Sequence, residues 1–376
     1  MSTQYAVVFT GGGSGGHTIP ASVLIRRLRS NNSANSKHIL LPDLYCIGSI
    51  EGIERRTLSD LVLRYFPIRT GKIRRYISLR NISDMAGVLL GLVQSFFFLL
   101  RLKNEYKKIL VFSTGGFVAV PSVIAARLLN IHVFIHEQTS RAGLANKISS
   151  FCASKIFISF NASAKSFPHK KTIFSGYPLR EECYDPERKP LFINGKVIET
   201  RRPILLITGG GNGSQLINQI VRENLALFRK HFLVIHLTGK AFIKDFEKYA
   251  DDGYHPAAGL GDEMINAIKH ADLLITRAGA GIVSEIITLK KKAVFIPLKI
   301  AQKNEQYYNA KEAVNSVGGL IFPEEELPGT NWDTVFGQLT QQSAAAGKCG
   351  RDDSSIVCKV NKRPDEVLIQ YIINEF

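Results

Sequence analysis

The sequence predicts an α/β protein of two doubly wound units with parallel sheets, and three observations carry that prediction. Short apolar runs alternate with helical segments along both halves, and a proline-rich, charged stretch at Ser175–Pro190 interrupts the alternation. Each half also opens on an apolar strand followed at once by a glycine cluster, GGGSGG at Gly11–Gly16 and GGGNGS at Gly209–Ser214. Such alternation is the signature of α/β folds.

In the first half, strands are expected at Tyr5–Phe9, Leu44–Gly48, Ile109–Phe112, His132–His136, Lys155–Ile158 and Thr172–Phe174, most of them ending in glycine or polar residues. A helix led by Pro20 follows the first glycine cluster, and Ala119–Leu129 and Leu144–Phe151 suit helices. The apolar run Met85–Leu102 sits at the lower edge of membrane-span length, roughly 18 residues. Gln94 and Ser95 interrupt it and Ile109–Phe112 follows closely, so it reads as a buried helix feeding a buried strand. Ser175–Pro190 reads as an interdomain linker. The second half repeats the pattern, with strands at Ile204–Thr208, Leu233–Leu237, Leu273–Thr276 and Ala293–Ile296 and helices at Gln215–Phe228, Asp262–Lys269, Ile282–Leu289 and Gln306–Asn315. Gln341–Lys362 is small, polar and aperiodic and reads as a loop before a closing helix, Asp365–Phe376.

Composition narrows the function classes. Hydrophobic residues make up 45% and charged residues 21% of 376, which excludes disorder. The five cysteines, Cys46, Cys152, Cys183, Cys349 and Cys358, never form a CxxC pair, so neither a disulfide framework nor a zinc site is expected and a reducing cytoplasm is the simplest reading. Met1–Phe9 lacks the basic and apolar regions of a secretory signal. The net charge is +16. Basic residues concentrate between Arg55 and Arg80, interleaved with aromatic and apolar side chains, and Arg64, Tyr65, Phe66, Arg69, Lys72, Arg74, Arg75 and Tyr76 form the centre of that segment. Two readings stay open there: a surface loop that attracts anionic lipid headgroups while inserting apolar side chains, or a solvated charged loop. No nucleic-acid-binding motif accompanies the charge, so no nucleic-acid partner is expected.

Five clusters carry the chemistry. The first, Thr10–His17, places Gly11, Gly12, Gly13, Ser14, Gly15 and Gly16 between a strand and a helix, where backbone N–H groups and a helix N-terminus favour an anion. It is neither a GxGxxG fingerprint with its distal acid nor a P-loop. His17 is a candidate general base or else a packing histidine. The second cluster joins Thr114, Gly115 and Gly116 to His136, Glu137 and Asn146 at neighbouring strand ends. Glu137 has an alternative role there, satisfying backbone donors. Thr208–Gln219 and Arg277–Glu285 form the third and fourth, the latter offering Arg277 as positive charge and Glu285 as an acceptor for sugar hydroxyls. The fifth, Gln302–Ala310, is rich in amides. Together they describe a nucleotide-sugar site. No metal-binding pattern is present and no cofactor is expected.

The ordered motifs GGGSGGH, TGGF, HEQxxxxGLAN, GYPLR, GGGNGSQLIN, ADLLITRAGAGIVSE and NEQxxNA, from Val8 to about Phe322, resemble the MurG family of lipid-linked peptidoglycan N-acetylglucosaminyltransferases. The resemblance implies a GT-B glycosyltransferase fold, two Rossmann-like domains with parallel sheets facing a deep cleft. It implies an acceptor-binding and membrane-associating domain over 1–177 with helix 365–376 packing back, and a donor-binding domain over 178–364. The implied reaction is inverting and metal-independent, moving N-acetylglucosamine from UDP-N-acetylglucosamine to the 4-hydroxyl of the muramic acid of undecaprenyl-pyrophosphate-linked lipid I, giving lipid II at the cytoplasmic face of the bacterial inner membrane.

The family's donor contacts map onto Ser14, Gly15, Gly16, His17, Thr139, Asn146, Arg180, Gly210, Gly211, Asn212, Gly213, Leu260, Gly261, Arg277, Ala280, Gly281, Glu285 and Gln306. Acceptor and diphosphate contacts map onto Gly11, Gly12, Gly13, Thr114, Gly115, Gly116, His136 and Glu137, with His17 as base. The sequence departs from the family pattern at Thr139, where an Asn is usual, at Tyr177 in Gly176–Pro178, at Gly211 and at Glu305. A transferase with another acceptor and a non-catalytic membrane adaptor of the same fold are the competing readings.

Overall fold

The computed structural model describes residues 4–33, 42–71, 80–299, 304–346 and 362–376. The chain divides into two units, Met1–Leu179 with Val360–Phe376, and Arg180–Lys359.

The first unit is built on seven strands: β1 (Tyr5–Gly11), β2 (Asp43–Ser49), β3 (Arg64–Ile68), β4 (Lys108–Gly115), β5 (His132–Glu137), β6 (Lys155–Ile158) and β7 (Thr172–Phe174). They form one parallel sheet in the order β3-β2-β1-β4-β5-β6-β7. Its helices are α1 (Gly15–Ser33), α2 (Ile53–Leu58), α3 (Arg80–Glu105), α4 (Ala119–Leu128) and α5 (Leu144–Ser150). Side chains alternate across the pleat, so Ala6 and Val8 join the cluster containing Leu99 and Val123 of α3 and α4, while Val7 and Phe9 join the one containing Leu24 and Leu28 of α1. Both faces are covered, which is why the central strands are apolar throughout. The chain winds from β1 through β2 to β3 on one side and returns to β4 on the other. The C-terminal ends of β1 and β4 therefore flank the point of reversal, where open α/β sheets bind ligands.

The second unit opens with a small antiparallel hairpin, β8 (Phe192–Ile193) and β9 (Lys196–Val197). Its main sheet contains β10 (Ile204–Thr208), β11 (Leu233–Leu237), β12 (Tyr254–Ala257), β13 (Leu273–Thr276), β14 (Ala293–Phe295) and β15 (Leu320–Ile321), all parallel in the order β12-β11-β10-β13-β14-β15. The helices are α6 (Gln215–His231), α7 (Lys244–Glu247), α8 (Met264–His270), α9 (Ala280–Thr288), α10 (Glu305–Val317) and α11 (Trp332–Ala346). Here the order reverses between β10 and β13, so the glycine cluster after β10 and the RAGAG turn after β13 occupy the equivalent switch point.

The last helix, α12 (Pro364–Ile373), belongs to the first unit. It sets Leu368, Ile369 and Ile372 into the core beside Val7 and Leu110. Tyr371 meets Phe157 edge-on, and the buried Asp365 accepts from the Arg363 guanidinium at 3.1 Å.

Several elements differ from expectation. The basic segment expected as a free loop contains β3, an edge strand paired in parallel with β2 from Tyr45↔Arg64 to Ser49↔Ile68. Tyr65 is turned inward to donate to the Ser49 carbonyl at 2.8 Å, and Phe66 stacks on Phe98 of α3 at 4.3 Å. Pairing and packing thus engage Tyr65 and Phe66, two of the three aromatic groups that the loop reading offered to a membrane, while Arg64 and Arg69 stay exposed. Lys72, Arg74, Arg75 and Tyr76 lie outside the described residues, as do Gln302, Cys349 and Cys358. Pro20 lies inside α1 rather than at its start, and 341–346 continue α11 rather than opening a loop.

The apolar run Met85–Leu102 is the body of α3, and Met85–Glu105 is long and apolar enough to cross a membrane by length and composition. One face packs inward: Leu99 and Leu102 enter the core, and Ser95 meets Ser122 of α4 at 3.1 Å. The opposite face leaves Met85, Leu89, Leu90, Val93 and Phe97 exposed.

Candidate functional site

At the first switch point, β1 and β4 pair regularly to Thr10↔Ser113 and then shift register, so that Gly11 faces Gly115. The Gly12 N–H donates to the Gly115 carbonyl at 3.2 Å. Gly116 has φ 83°, and a Cβ there would collide with the Gly12 carbonyl, so this approach of two loops requires glycine. The α1 helix begins three residues after Gly12, and His17 stands in its first turn. Gly15 and Gly16 present first-turn N–H groups that have no intrahelical acceptor.

Two acceptors face one nitrogen of His17: Nδ1 lies 2.8 Å from the Thr114 carbonyl and 3.1 Å from Gln138 Oε1. Nδ1 must therefore carry the proton, which leaves the Nε2 lone pair available. The Gln138 amide is itself oriented, because its NH₂ group donates to the Thr114 carbonyl at 2.7 Å and lies 3.2 Å from His136 Nδ1. His136 is fully buried and donates from Nε2 to the Gly176 carbonyl at 3.1 Å. Burial brings its pKa down to about 4, against the opposing bond to Gly176, so it is neutral. A chain of hydrogen bonds thus runs from the Gly176 carbonyl through His136 and Gln138 to His17.

Several residues expected to touch ligand are committed to protein partners. His136 and Glu137 are buried, and the Glu137 carboxylate accepts from Thr139 N at 3.0 Å, Gly143 N at 3.1 Å and Asn146 Nδ2 at 3.0 Å. The Thr139 hydroxyl turns inward to Glu137 at 2.8 Å and to the Arg141 carbonyl at 2.7 Å. A buried carboxylate needs such donors, and this one folds the loop before α5 around itself. The N–H groups of Gly12 and Gly13 are likewise committed, to Gly115 O and to Glu54 Oε2, so the direct anion donors left in this loop are those of Ser14–Gly16. Two buried oxygens here, Thr114 Oγ1 and Asn146 Oδ1, have no hydrogen-bond partner among the described residues.

In the second unit, Gly210 and Gly213 take φ 87° and 76° after β10, and Gly210, Gly211 and Asn212 are exposed. Ser214 caps α6, accepting from Ile217 N at 3.4 Å. The glycine cluster thus forms an open loop leading into a capped helix of 17 residues. Arg180 reaches the Gly261 carbonyl at 3.3 Å and Glu285 Oε1 at 3.4 Å, which assembles Arg180, Leu260, Gly261 and Glu285 beside the start of α9 at Ala280 and Gly281. Burial pushes the Glu285 carboxyl pKa up, and the Arg180 charge opposes that shift.

Arg277 and Gln306 are committed in the same way. The Arg277 guanidinium is buried and donates to Glu324 Oε1 at 2.6 Å, the Ile296 carbonyl at 3.1 Å and Ser214 Oγ at 2.9 Å. Gln306 Oε1 accepts from Ala278 N at 3.2 Å and Leu298 N at 3.0 Å. Both hold the loops around the switch point. Among the described residues, no three His, Cys, Asp or Glu side chains gather as metal ligands. Gln138, Glu54, Ser214 and Glu324 are the residues the sequence reading did not single out; only Ser214, before a helical run, carries a local signal.

Two Rossmann-like parallel-sheet units, each with a glycine loop at its switch point, define the GT-B fold class. Residues 7–158 match the glycosyltransferase family 28 N-terminal domain and 204–347 its C-terminal domain. A Clostridium botulinum (strain Langeland) protein described as UDP-N-acetylglucosamine–N-acetylmuramyl-(pentapeptide) pyrophosphoryl-undecaprenol N-acetylglucosamine transferase is 37% identical over 323 residues, 85% of this chain and 87% of that protein. A Bacillus cereus protein described as transferase 2 of the same name is 36% identical over the same shares. The crystal structure of Acinetobacter baumannii MurG superposes with a TM-score of 0.67 at 23% identity, covering 99% of this chain and all of that one. The chain belongs to the MurG family of N-acetylglucosaminyltransferases and is a hexosyltransferase.

Proposed function

We propose that this enzyme transfers N-acetylglucosamine from UDP-N-acetylglucosamine to the 4-hydroxyl of the muramic acid of lipid I, with inversion and without a metal, giving lipid II. The observation that carries the mechanism is the fixed tautomer of His17. The acceptor oxygen attacks the anomeric carbon while its proton passes to Nε2, and the bond from that carbon to UDP breaks with the electron pair leaving on the diphosphate. On the donor side, Gly211 and Asn212 of the exposed loop and the α6 N-terminus supply N–H groups for the phosphates, and Glu285 accepts from ribose hydroxyls once Arg180 turns to the diphosphate. Ser14–Gly16 supply the corresponding donors in the first unit.

The reading extends to a peripheral site at the cytoplasmic face of the plasma membrane. The exposed apolar stripe of α3, with Arg64 and Arg69 on and after neighbouring β3, suits an anionic lipid surface. Incubation of the purified protein with UDP-N-acetylglucosamine and a short-chain lipid I analogue in EDTA tests the reaction. Acceptor-dependent UDP release with disaccharide formation is expected; donor binding without turnover on this acceptor would overturn the assignment.

A further inference from the structure

Glu54 backs the first glycine loop from a separate helix. It lies in α2, is fully buried, and forms no salt bridge among the described residues. Its carboxylate is divided between two elements. Oε1 accepts from Ser49 N at 3.1 Å and from the Ser49 hydroxyl, at the end of β2, while Oε2 accepts from Gly13 N at 3.1 Å. Room for the carboxylate is made by glycine on two sides: a Cβ built on Gly12 or on Gly52 would fall under 3.0 Å from it. Gly13 has φ 83° and sits between Glu54 and the ring of Phe117. Ser49 is tied onward through its carbonyl to the Tyr65 hydroxyl of β3 at 2.8 Å. A single carboxylate thus pins the glycine loop from which α1 and His17 emerge.

We propose that Glu54 is a positioning residue for the acceptor side of the transfer, an inference that rests on the transferase reading above. Both oxygens are used as acceptors from donors on opposite sides, which an amide cannot reproduce: glutamine must set its NH₂ against either Gly13 N–H or the Ser49 donors. Charge-assisted bonds to backbone N–H are also the stronger kind. The negative charge directly behind Gly12 and Gly13, together with the loss of the Gly13 donor, disfavours an anion over those two residues. The part of the acceptor placed there is a neutral one, a sugar hydroxyl or amide, and the diphosphate lies toward Ser14–Gly16.

The test compares wild type with Glu54→Gln, and with Gly52→Ala, which displaces the carboxylate while keeping its charge. Three quantities are read: kcat/KM for the lipid I analogue, the calorimetric Kd for UDP-N-acetylglucosamine, and hydrogen-exchange protection at Gly13 N–H. Both variants are expected to lose about 10- to 100-fold in acceptor kcat/KM, to bind donor as wild type does, and to lose protection at Gly13. Wild-type acceptor kinetics in Glu54→Gln, or an equal fall in donor affinity and acceptor turnover, would overturn the proposal. If the wild type itself makes no product, the transferase reading fails. Unchanged Gly13 protection in both variants would separately refute the pinning of the loop.

Discussion

The Nδ1 of His17 lies 2.8 Å from the carbonyl oxygen of Thr114, a contact that decides which imidazole nitrogen can take a proton. Gln138 duplicates the constraint from a side chain 121 residues away in sequence. The two acceptors leave the lone pair on Nε2, which is the tautomer that the proposed role of His17 as base requires. Replacement of His17 by Ala should lower kcat by about 10²- to 10⁴-fold with little change in donor Kd. Gln138→Leu, which keeps Thr114 as an acceptor, should lose less. Steady-state kinetics beside calorimetry separate the two, and near-wild-type turnover by the His17 variant would remove the base from the account.

Two buried neutral histidines make stability depend on pH. His136 has its pKa lowered to about 4 and His236 to about 3, both by burial, against an ordinary value of 6.5. Each is therefore neutral when folded where the unfolded chain is protonated. The stability they contribute is complete above about pH 6.5 and is lost as the pH falls toward 4 and 3, at up to about 1.4 kcal/mol per pH unit for each group. Thermal midpoints should fall from pH 7 to pH 5, and His236→Asn should flatten that dependence for the second unit. Midpoints independent of pH over this range would contradict the assignment.

The Arg277–Glu324 pair makes a sharper demand. The two side chains are 10% and 23% exposed and meet at 2.6 Å. Glu324→Ala leaves a mostly buried guanidinium without its carboxylate, which costs about 3 kcal/mol when one partner of such a pair is removed. The loss should appear as a lower thermal midpoint of the second unit and as weaker donor binding, because Arg277 also holds the Ser214 cap of α6. A variant as stable as wild type would show that the pair contributes little.

On the exposed stripe of α3, Leu90→Ser and Phe97→Ser remove apolar groups that are 49% and 64% exposed and take no part in the core. Each should weaken sedimentation with anionic vesicles by about tenfold, the scale of one apolar side chain leaving a lipid surface. Added salt should weaken it further through the neighbouring arginines. Vesicle binding indifferent to both substitutions would mean that this stripe does not meet lipid.

The legible part of the fold was its buried strands. Ile204–Thr208, Leu233–Leu237 and Leu273–Thr276 stand with the bounds their apolar runs predict, because a central strand covered on both faces has to be apolar along its length. Edge strands lack that constraint. Arg64–Ile68 carries Arg, Pro and two aromatics, and reads as a loop until its pairing with β2 is known. The start of α1 was hidden for a different reason, since Gly15–Gly16 carries no helical periodicity and Pro20 marks a first turn by default. The glycine clusters were legible as ligand loops. The supports were not: Gln138, Glu54 and Glu324 meet His17, Gly13 and Arg277 across 121, 41 and 47 residues, distances over which a single sequence has no pattern to read.

The most direct test of the mechanism is the anomeric configuration of the product. Direct displacement on UDP-α-N-acetylglucosamine, with His17 accepting the proton, predicts a β-1,4 linkage, seen by proton NMR as the large diaxial coupling of the new anomeric proton. A small coupling, signifying an α linkage, would contradict the single-displacement account.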